Sequence, residues 1–169
     1  CYDSAPVAQL LDHLAAAPTL LLATPGSAQR ALRAWEASHG AAARLRSIDL
    51  PWFTQADFDR LLWACDLNFV RGEDSFVRAQ WAGRPFVWQA YPQQDGSHRA
   101  KLLAFLDRML ADGDARVADP LRALMLGWNG FGPLAPGLPP LARWQSHCEQ
   151  WRDGLAVAPD LTTQLLGLV

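Results

Sequence analysis

Cysteine is scarce in this chain, whose 169 residues include only Cys1, Cys65 and Cys148. An odd and widely spaced set of thiols matches neither a disulfide framework nor a zinc knuckle. The four histidines are equally scattered and do not have the spacing of metal ligands. We therefore expect a protein without a bound metal, in a reducing compartment, and we assign it to the cytoplasm.

An excess of positive charge is also absent. The 15 Lys and Arg are outnumbered by 17 Asp and Glu, which gives a net charge of −2 and a pI of about 6.1. Because proteins that bind nucleic acid along its phosphates need a basic surface, we expect no nucleic-acid partner. No apolar run reaches membrane-spanning length and no signal peptide is visible, so we expect no membrane partner.

Two common nucleotide-binding fingerprints are missing. The sequence contains no G-x-G-x-x-G motif, which argues against a nicotinamide or flavin site of that type. It also contains no G-x-x-x-x-G-K-[ST] motif, which excludes a P-loop ATPase. Half of the residues are hydrophobic and 19% are charged, as in a folded domain. The length predicts one domain over residues 1–169.

Helix-like and strand-like segments alternate along most of the chain. Short apolar strands that alternate with helices predict an α/β fold, with a Rossmann-like parallel sheet covered by helices on both faces. From residue 120 onward the pattern predicts helices alone, interrupted by a Gly- and Pro-rich loop over residues 130–140. The predicted helices are 5–17, 27–39 with Ser27 as cap, 55–64, 76–82 and 97–111, and the predicted strands are 20–23, 44–48, 67–70 and 85–88.

Loops that follow parallel strands meet at one edge of the sheet, where ligands bind in such folds. Among them, residues 71–75 carry Arg71, Glu73, Asp74 and Ser75 at the start of a predicted helix. The unpaired N–H groups and partial positive charge of a helix N-terminus suit a diphosphate, and a neighbouring carboxylate suits ribose hydroxyls. The alternatives are that Asp74 and Ser75 are ordinary helix caps and that Arg71 and Glu73 form a surface ion pair.

Aromatic side chains also lie near the predicted strand ends. Trp52 and Gln55 share a strand-to-helix loop, where an aromatic face and one amide could recognise a pyrimidine ring. Tyr2, Phe58 and Tyr91 lie near the same edge, although aromatic residues are more often part of the core. No Ser/His/Asp or Cys/His catalytic set can be assembled from the sequence.

Several segments together carry a family resemblance. Residues 71–88, which read RGEDSFVRAQWAGRPFVW, are followed by Tyr91-Pro92-Gln93. Residues 57–68, residues 101–107 and the initial Cys1-Tyr2 extend the match over most of the chain. In these segments the sequence closely resembles the EarP family, the bacterial protein-arginine rhamnosyltransferases that modify elongation factor P.

The resemblance implies a GT-B fold of two Rossmann-like halves, of which this chain is the C-terminal, donor-binding half. It implies transfer of L-rhamnose from dTDP-β-L-rhamnose to an arginine of elongation factor P, with inversion and without a metal or other cofactor. The family usually has Phe where this chain has Trp52. By resemblance, the diphosphate and ribose are held by Arg71, Glu73, Asp74, Ser75 and Tyr91, and the nucleobase by Tyr2, Trp52, Gln55 and Phe58.

By the same resemblance, the general base and most of the surface that binds elongation factor P belong to the N-terminal half. That half is absent from this sequence, so no residue here is assigned as catalytic, and the 169 residues alone are expected to be inactive. Two alternatives remain open. The chain could be the donor half of a GT-B enzyme with another nucleotide sugar, or a non-catalytic α/β module that binds protein partners through its terminal helices.

Overall fold

The computed structural model describes residues 1–40, 44–111 and 113–167. Within these ranges, helices and strands alternate up to residue 109 and only helices follow, as the sequence predicts. The elements in these ranges are α1 Val7–Leu14, β1 Thr19–Ala23, α2 Ser27–His39, β2 Leu45–Asp49, α3 Gln55–Ala64, β3 Asn68–Arg71, α4 Asp74–Ala82, β4 Phe86–Gln89, α5 Ser97–Met109, α6 Ala115–Trp128, α7 Leu141–Ala156 and α8 Leu161–Leu166.

The predicted boundaries are close to those observed, with two informative differences. Ser27 does not cap α2: it is the first helical residue after Gly26, and its hydroxyl accepts a hydrogen bond from Arg30 (3.0 Å). The helix containing Pro120 begins five residues earlier, at Ala115. Asp114 caps this helix by accepting from the backbone N–H of Arg116 at 3.0 Å, so the cap sets the start and the helix continues through Pro120.

The α/β class and the parallel pairing are confirmed. β1 pairs with β2 from Thr19–Leu45 to Ala23–Asp49, and β3 pairs with β4 from Asn68–Phe86 to Arg71–Gln89. In the described ranges these are two separate two-stranded sheets, without ladder hydrogen bonds between them. Helix α1 joins the two halves by packing, because Leu10 belongs to the core around β3 and β4 and the adjacent Leu11 to the core around β1 and β2.

The two sheets differ in how fully they are covered. Every residue of β4 is buried, which matches the apolar run of a central parallel strand. Its core is completed by leucines of α5 and α6 and by Trp144 of α7. In contrast, only Leu45 of β2 is buried, and Leu20 and Ile48 are 56% and 44% exposed. Helices therefore cover the β3–β4 sheet more completely than the β1–β2 sheet.

The end of β4 is anchored to α6 by one side chain. The Asn129 amide accepts a hydrogen bond from the backbone N–H of Ala90 (2.9 Å) and donates to the carbonyls of Trp88 and Met125 (2.8 Å each). These bonds satisfy backbone groups where the strand ladder ends. They fix the direction in which the chain leaves β4 towards Tyr91.

Within the described helices, none is both long enough and apolar enough to cross a membrane.

His147 of α7 gives a testable pH dependence. Burial lowers the pKa of His147, a backbone hydrogen bond at Met109 acts in the opposite direction, and its buried Nε2 has no partner among the described atoms. With a folded-state pKa below the ordinary value, the unfolded chain takes up the proton first. Stability should therefore fall as the pH drops below about 6.5. We expect urea titrations between pH 7.5 and 5 to give a shallower pH dependence for His147→Gln.

The matched control is His13→Gln, at an exposed position on α1. It removes an imidazole without the burial that lowers the pKa of His147. If His147→Gln and the unmodified chain lose stability in parallel as the pH falls, the buried-histidine explanation is wrong.

Candidate functional site

A sharp turn connects β3 to α4 at the carboxyl edge of the sheet. Gly72 has a φ of +62°, a left-handed conformation that side chains rarely adopt. Its N–H donates to the Gln89 carbonyl (3.2 Å), and its carbonyl accepts from the Trp88 indole (2.9 Å). Both bonds hold the turn against the end of β4, so that α4 starts at this edge.

The N-terminus of α4 is open. Glu73 occupies the N-cap position, and for the described residues no side chain caps this end. The interpretation of Asp74 and Ser75 as ordinary caps is therefore wrong. The Ser75 hydroxyl instead donates to the Arg71 carbonyl. An uncapped helix start leaves backbone N–H groups available to an anion.

Asp74 is directed along its own helix. Its carboxylate accepts from Arg78 Nε (2.9 Å), and Arg78 Nη1 also contacts both carboxylate oxygens of Asp59 (3.0 and 2.9 Å). Hydrogen bonds to Asp59 and Asp74 raise the pKa of Arg78, which keeps it charged. This shared ion pair joins α3 to α4 and offsets part of the negative charge beside the helix start.

Arg71 does not pair with Glu73, which corrects the surface ion-pair alternative as far as the described residues go. The Arg71 guanidinium donates to the Cys1 carbonyl (3.3 Å) and lies over the Tyr2 ring, 5.0 Å from its centroid. Tyr2 in turn meets Tyr91 edge-on, with ring centroids 5.6 Å apart. We call Tyr2, Arg71 and Tyr91 the edge cluster.

The surroundings of Tyr2 shift the pKa of its phenol. Burial raises the pKa of Tyr2, and the nearby Arg71 lowers it, while Glu73 and Tyr91 raise it further. Arg71, Glu73 and Tyr91 therefore all lie within electrostatic reach of the Tyr2 phenol. Tyr2 was grouped with the nucleobase residues by resemblance, but the structure brings it against two residues assigned to the diphosphate and ribose.

The remaining nucleobase candidates occupy α3 and the loop before it. Thr54 caps α3 by accepting from the Asp57 N–H (3.2 Å), which makes Gln55 the first helical residue. Trp52 is 83% exposed, whereas Phe58 is half-buried and packs against the main core. The structure does not gather these side chains into an enclosed pocket, and their assignment to a nucleobase stays a prediction.

Sequence reasoning missed a cleft beside the same helix. It has a volume of about 430 Å³ and lies between α4, α5 and α7. Phe76 and Trp88 form its floor as stacked rings 4.0 Å apart, and Glu73, Lys101 and Arg108 are at its rim. The sequence assigns no role to Phe76 or Trp88, because the spacing of single rings does not reveal a cleft.

Sequence reasoning also missed a contact that links the N-terminal segment to α2. Asp3 forms an ion pair with Arg30 at 2.9 Å. Hydrogen bonds from Ser27 and Arg30 lower the pKa of Asp3. Residues 1–3 therefore reach both carboxyl edges, with Tyr2 at β3–β4 and Asp3 at the start of α2. Among the described residues, no group of three His, Cys, Asp or Glu is placed to hold a metal ion.

Comparison with known proteins identifies the family. All of residues 1–169 match the sequence profile described as "Elongation-Factor P (EF-P) rhamnosyltransferase EarP". The chain belongs to the EarP family. The resemblance seen in the sequence is confirmed.

Curated EarP relatives are much longer than this chain. A protein-arginine rhamnosyltransferase of Pseudomonas aeruginosa is 48% identical over an alignment of 126 positions, which covers 72% of this chain and 34% of the relative. One of Pseudomonas putida is 37% identical over an alignment of 178 positions, which covers 98% of this chain and 47% of the relative. The chain thus spans less than half the length of these two relatives.

A solved structure shares the fold. It is described as "Structural basis for EarP-mediated arginine glycosylation of translation elongation factor EF-P" and is 34% identical to this chain, with a TM-score of 0.82. The match covers 97% of this chain and 56% of the solved one. The fold of the described residues is therefore that of a part of the EarP structure.

The turn before α4 can be tested with a pair of glycines. A Cβ on Gly72 would meet the Tyr2 hydroxyl at 3.2 Å, whereas a Cβ on Gly96, which has a similar φ of +73°, would meet nothing within 4 Å. Both alanine substitutions should cost about 1–2 kcal/mol of backbone strain. We expect Gly72→Ala to lower the denaturation midpoint more than Gly96→Ala does.

The excess loss should disappear when Tyr2→Phe is added to Gly72→Ala, because the clashing hydroxyl is then gone. Equal losses for the two glycines, or an excess that persists with Tyr2→Phe, would mean that Tyr2 does not lie over this turn.

Proposed function

We propose that this chain is the donor-binding half of an inverting protein-arginine rhamnosyltransferase of GT-B architecture. The donor would be dTDP-β-L-rhamnose and the acceptor an arginine of elongation factor P, a translation factor, which assigns the reaction to the cytoplasm. The proposal includes no metal and no other cofactor. The observation that supports it most directly is the uncapped start of α4, flanked by Arg71, in a chain that belongs to the EarP family.

The diphosphate would lie at the start of α4. The first backbone N–H groups of the helix and the partial positive charge of its dipole favour an anion there. Arg71 ends β3 immediately before the turn and adds a full positive charge. The Ser75 hydroxyl, now directed to the Arg71 carbonyl, can rotate to donate to a phosphate oxygen.

The ribose would be held mainly by Glu73. The Glu73 carboxylate is in no ion pair within the described residues, whereas that of Asp74 is engaged by Arg78. A free carboxylate can accept hydrogen bonds from both ribose hydroxyls. Tyr91 projects from the loop after β4 to the same edge and contacts Tyr2. Asp74 would then act chiefly by fixing the helix start through Arg78.

The thymine would lie beyond the ribose, between the edge cluster and α3. Tyr2, Trp52, Gln55 and Phe58 are the residues proposed for it. The exposed indole of Trp52 offers a stacking face. Gln55, exposed at the start of α3, offers both a donor and an acceptor to the polar edge of the base.

The chemistry requires two contributions, of which this chain would supply one. Arginine is a weak nucleophile because its guanidinium, with a pKa above about 12, stays protonated. A carboxylate must therefore orient it and assist proton loss, and we assign that base to the part of the EarP enzyme that this chain does not span. The helix start, Arg71 and Ser75 would stabilise the charge that develops on the departing dTDP.

Titration calorimetry with dTDP and dTDP-L-rhamnose tests the proposal. We expect Glu73→Ala and Ser75→Ala each to weaken binding about tenfold, since each removes a hydrogen bond to a polar or charged ligand group. Asp74→Ala should weaken binding less, because that carboxylate faces Arg78. The control is Asp119→Ala, which removes an exposed carboxylate from α6.

Titration with UDP-glucose distinguishes the proposed function from the two alternatives. Tighter binding of UDP-glucose than of the dTDP ligands would favour a GT-B enzyme with another donor. Failure of a folded sample to bind any nucleotide would contradict a donor site formed by this chain and favour a non-catalytic module.

A further inference from the structure

The last residue of β4 is a fully buried amide. Gln89 is only 2% exposed, and in the described ranges Asn68 is the other buried polar residue. Burying an amide is unfavourable unless its hydrogen bonds are satisfied. The partners of Gln89 therefore indicate why a polar side chain is present in an otherwise apolar strand.

Both polar atoms of the Gln89 side-chain amide form hydrogen bonds with the N-terminal segment. The Oε1 atom accepts from the backbone N–H of Tyr2 at 2.7 Å, and the Nε2 atom donates to the Ser4 hydroxyl at 3.2 Å. The partners lie 87 and 85 residues away in the sequence. The backbone carbonyl of the same residue accepts from the Gly72 N–H at 3.2 Å. Gln89 thus connects the end of β4 to the N-terminal segment and to the turn before α4.

The segment held in this way carries a member of the edge cluster. The Tyr2 backbone is fixed by Gln89, and the Tyr2 ring then lies against Arg71 and against Tyr91, two residues after Gln89. The Cys1 carbonyl of the same segment accepts from Arg71. Without the Gln89 bonds, Tyr2 would keep ring contacts but lose the bond that sets its backbone position.

We propose that Gln89 is a positioning residue of the donor site, which holds residues 1–4 so that Tyr2 fixes the Arg71 guanidinium beside the start of α4. Its own amide is buried and bonded to Tyr2 and Ser4, and it would act without contacting the donor. The effect on ligand binding rests on the proposed function, whereas the tether itself does not.

The tether is tested by hydrogen exchange with mass spectrometry on the 169-residue chain. Gln89→Met keeps an unbranched side chain of similar size and removes both hydrogen bonds. We expect exchange of the peptide covering residues 1–5 to become about tenfold faster, while the core helix α5 is unaffected. The matched control is Asn68→Leu, which removes a buried amide bonded to the Leu62 carbonyl (3.0 Å) and leaves the N-terminal segment untouched.

Ser4→Ala keeps the experiment decisive if Gln89→Met does not fold. Ser4 is exposed, so its loss removes the Nε2 bond and leaves the core intact. A smaller acceleration over residues 1–5 supports the tether. Unchanged exchange in the folded variants, or the same acceleration in Asn68→Leu, overturns it.

The role in the donor site is tested by a double-mutant cycle on dTDP affinity. If Gln89 acts through Tyr2, Gln89→Met should weaken binding about tenfold in the unmodified chain and less than about twofold when Tyr2→Ala is present. Equal effects in the two backgrounds would overturn a role through Tyr2, because a general loss of structure would not depend on Tyr2.

Measurements of dTDP affinity and of hydrogen exchange together distinguish failure of the proposed function from failure of the positioning role of Gln89. If the unmodified chain binds no dTDP, the proposed function fails and the donor-site role of Gln89 fails with it. If dTDP binds normally to Gln89→Met while exchange over residues 1–5 is accelerated, the proposed function stands and the positioning role is refuted.

Discussion

The candidate site depends on how the end of β4 is held. A strand that stops inside a protein leaves backbone donors and acceptors that must find other partners. Here the Asn129 amide accepts a hydrogen bond from the Ala90 N–H and donates one to the Trp88 carbonyl. The Gln89 carbonyl accepts a hydrogen bond from the Gly72 N–H. Three separate parts of the chain, namely α6, the turn before α4 and the loop to Tyr91, are thereby fixed relative to one another.

An anion site beside two carboxylates needs an electrostatic explanation. Glu73 and Asp74 both lie at the start of α4, where a diphosphate would be repelled by two uncompensated charges. Arg78 contacts Asp74 and Asp59 at once, and Arg71 lies just before the turn. Arg78 therefore offsets part of the negative charge of Asp74, and Arg71 adds a positive charge near the helix start. The positive field of the helix start remains available. Glu73 is in no ion pair with another described residue, so its carboxylate can accept hydrogen bonds.

The sequence could predict what is encoded locally. The bounds of α3 and α2, the parallel strands and the turn at residues 71–75 follow from apolar periodicity and from the signals that mark helix starts. Long-range contacts leave no such pattern. The hydrogen bond between Gln89 and Tyr2 joins residues that are 87 positions apart, and no local sequence pattern at either residue predicts it. For the same reason, the regrouping of Tyr2 with Arg71, the separation of the two sheets and the aromatic cleft became visible only in three dimensions.

The two hydrophobic cores differ in size, and this difference affects which part of the molecule unfolds locally first. In the described chain, 20 buried residues surround β3 and β4, but only five surround β1 and β2, where Leu20 and Ile48 face solvent. Local opening is easiest where the least apolar surface is buried. We therefore expect the part formed by β1, α2 and β2 to open locally more readily than the core around β3 and β4. Since Asp3 pairs with Arg30 of that part, its opening would release one anchor of the segment that carries Tyr2.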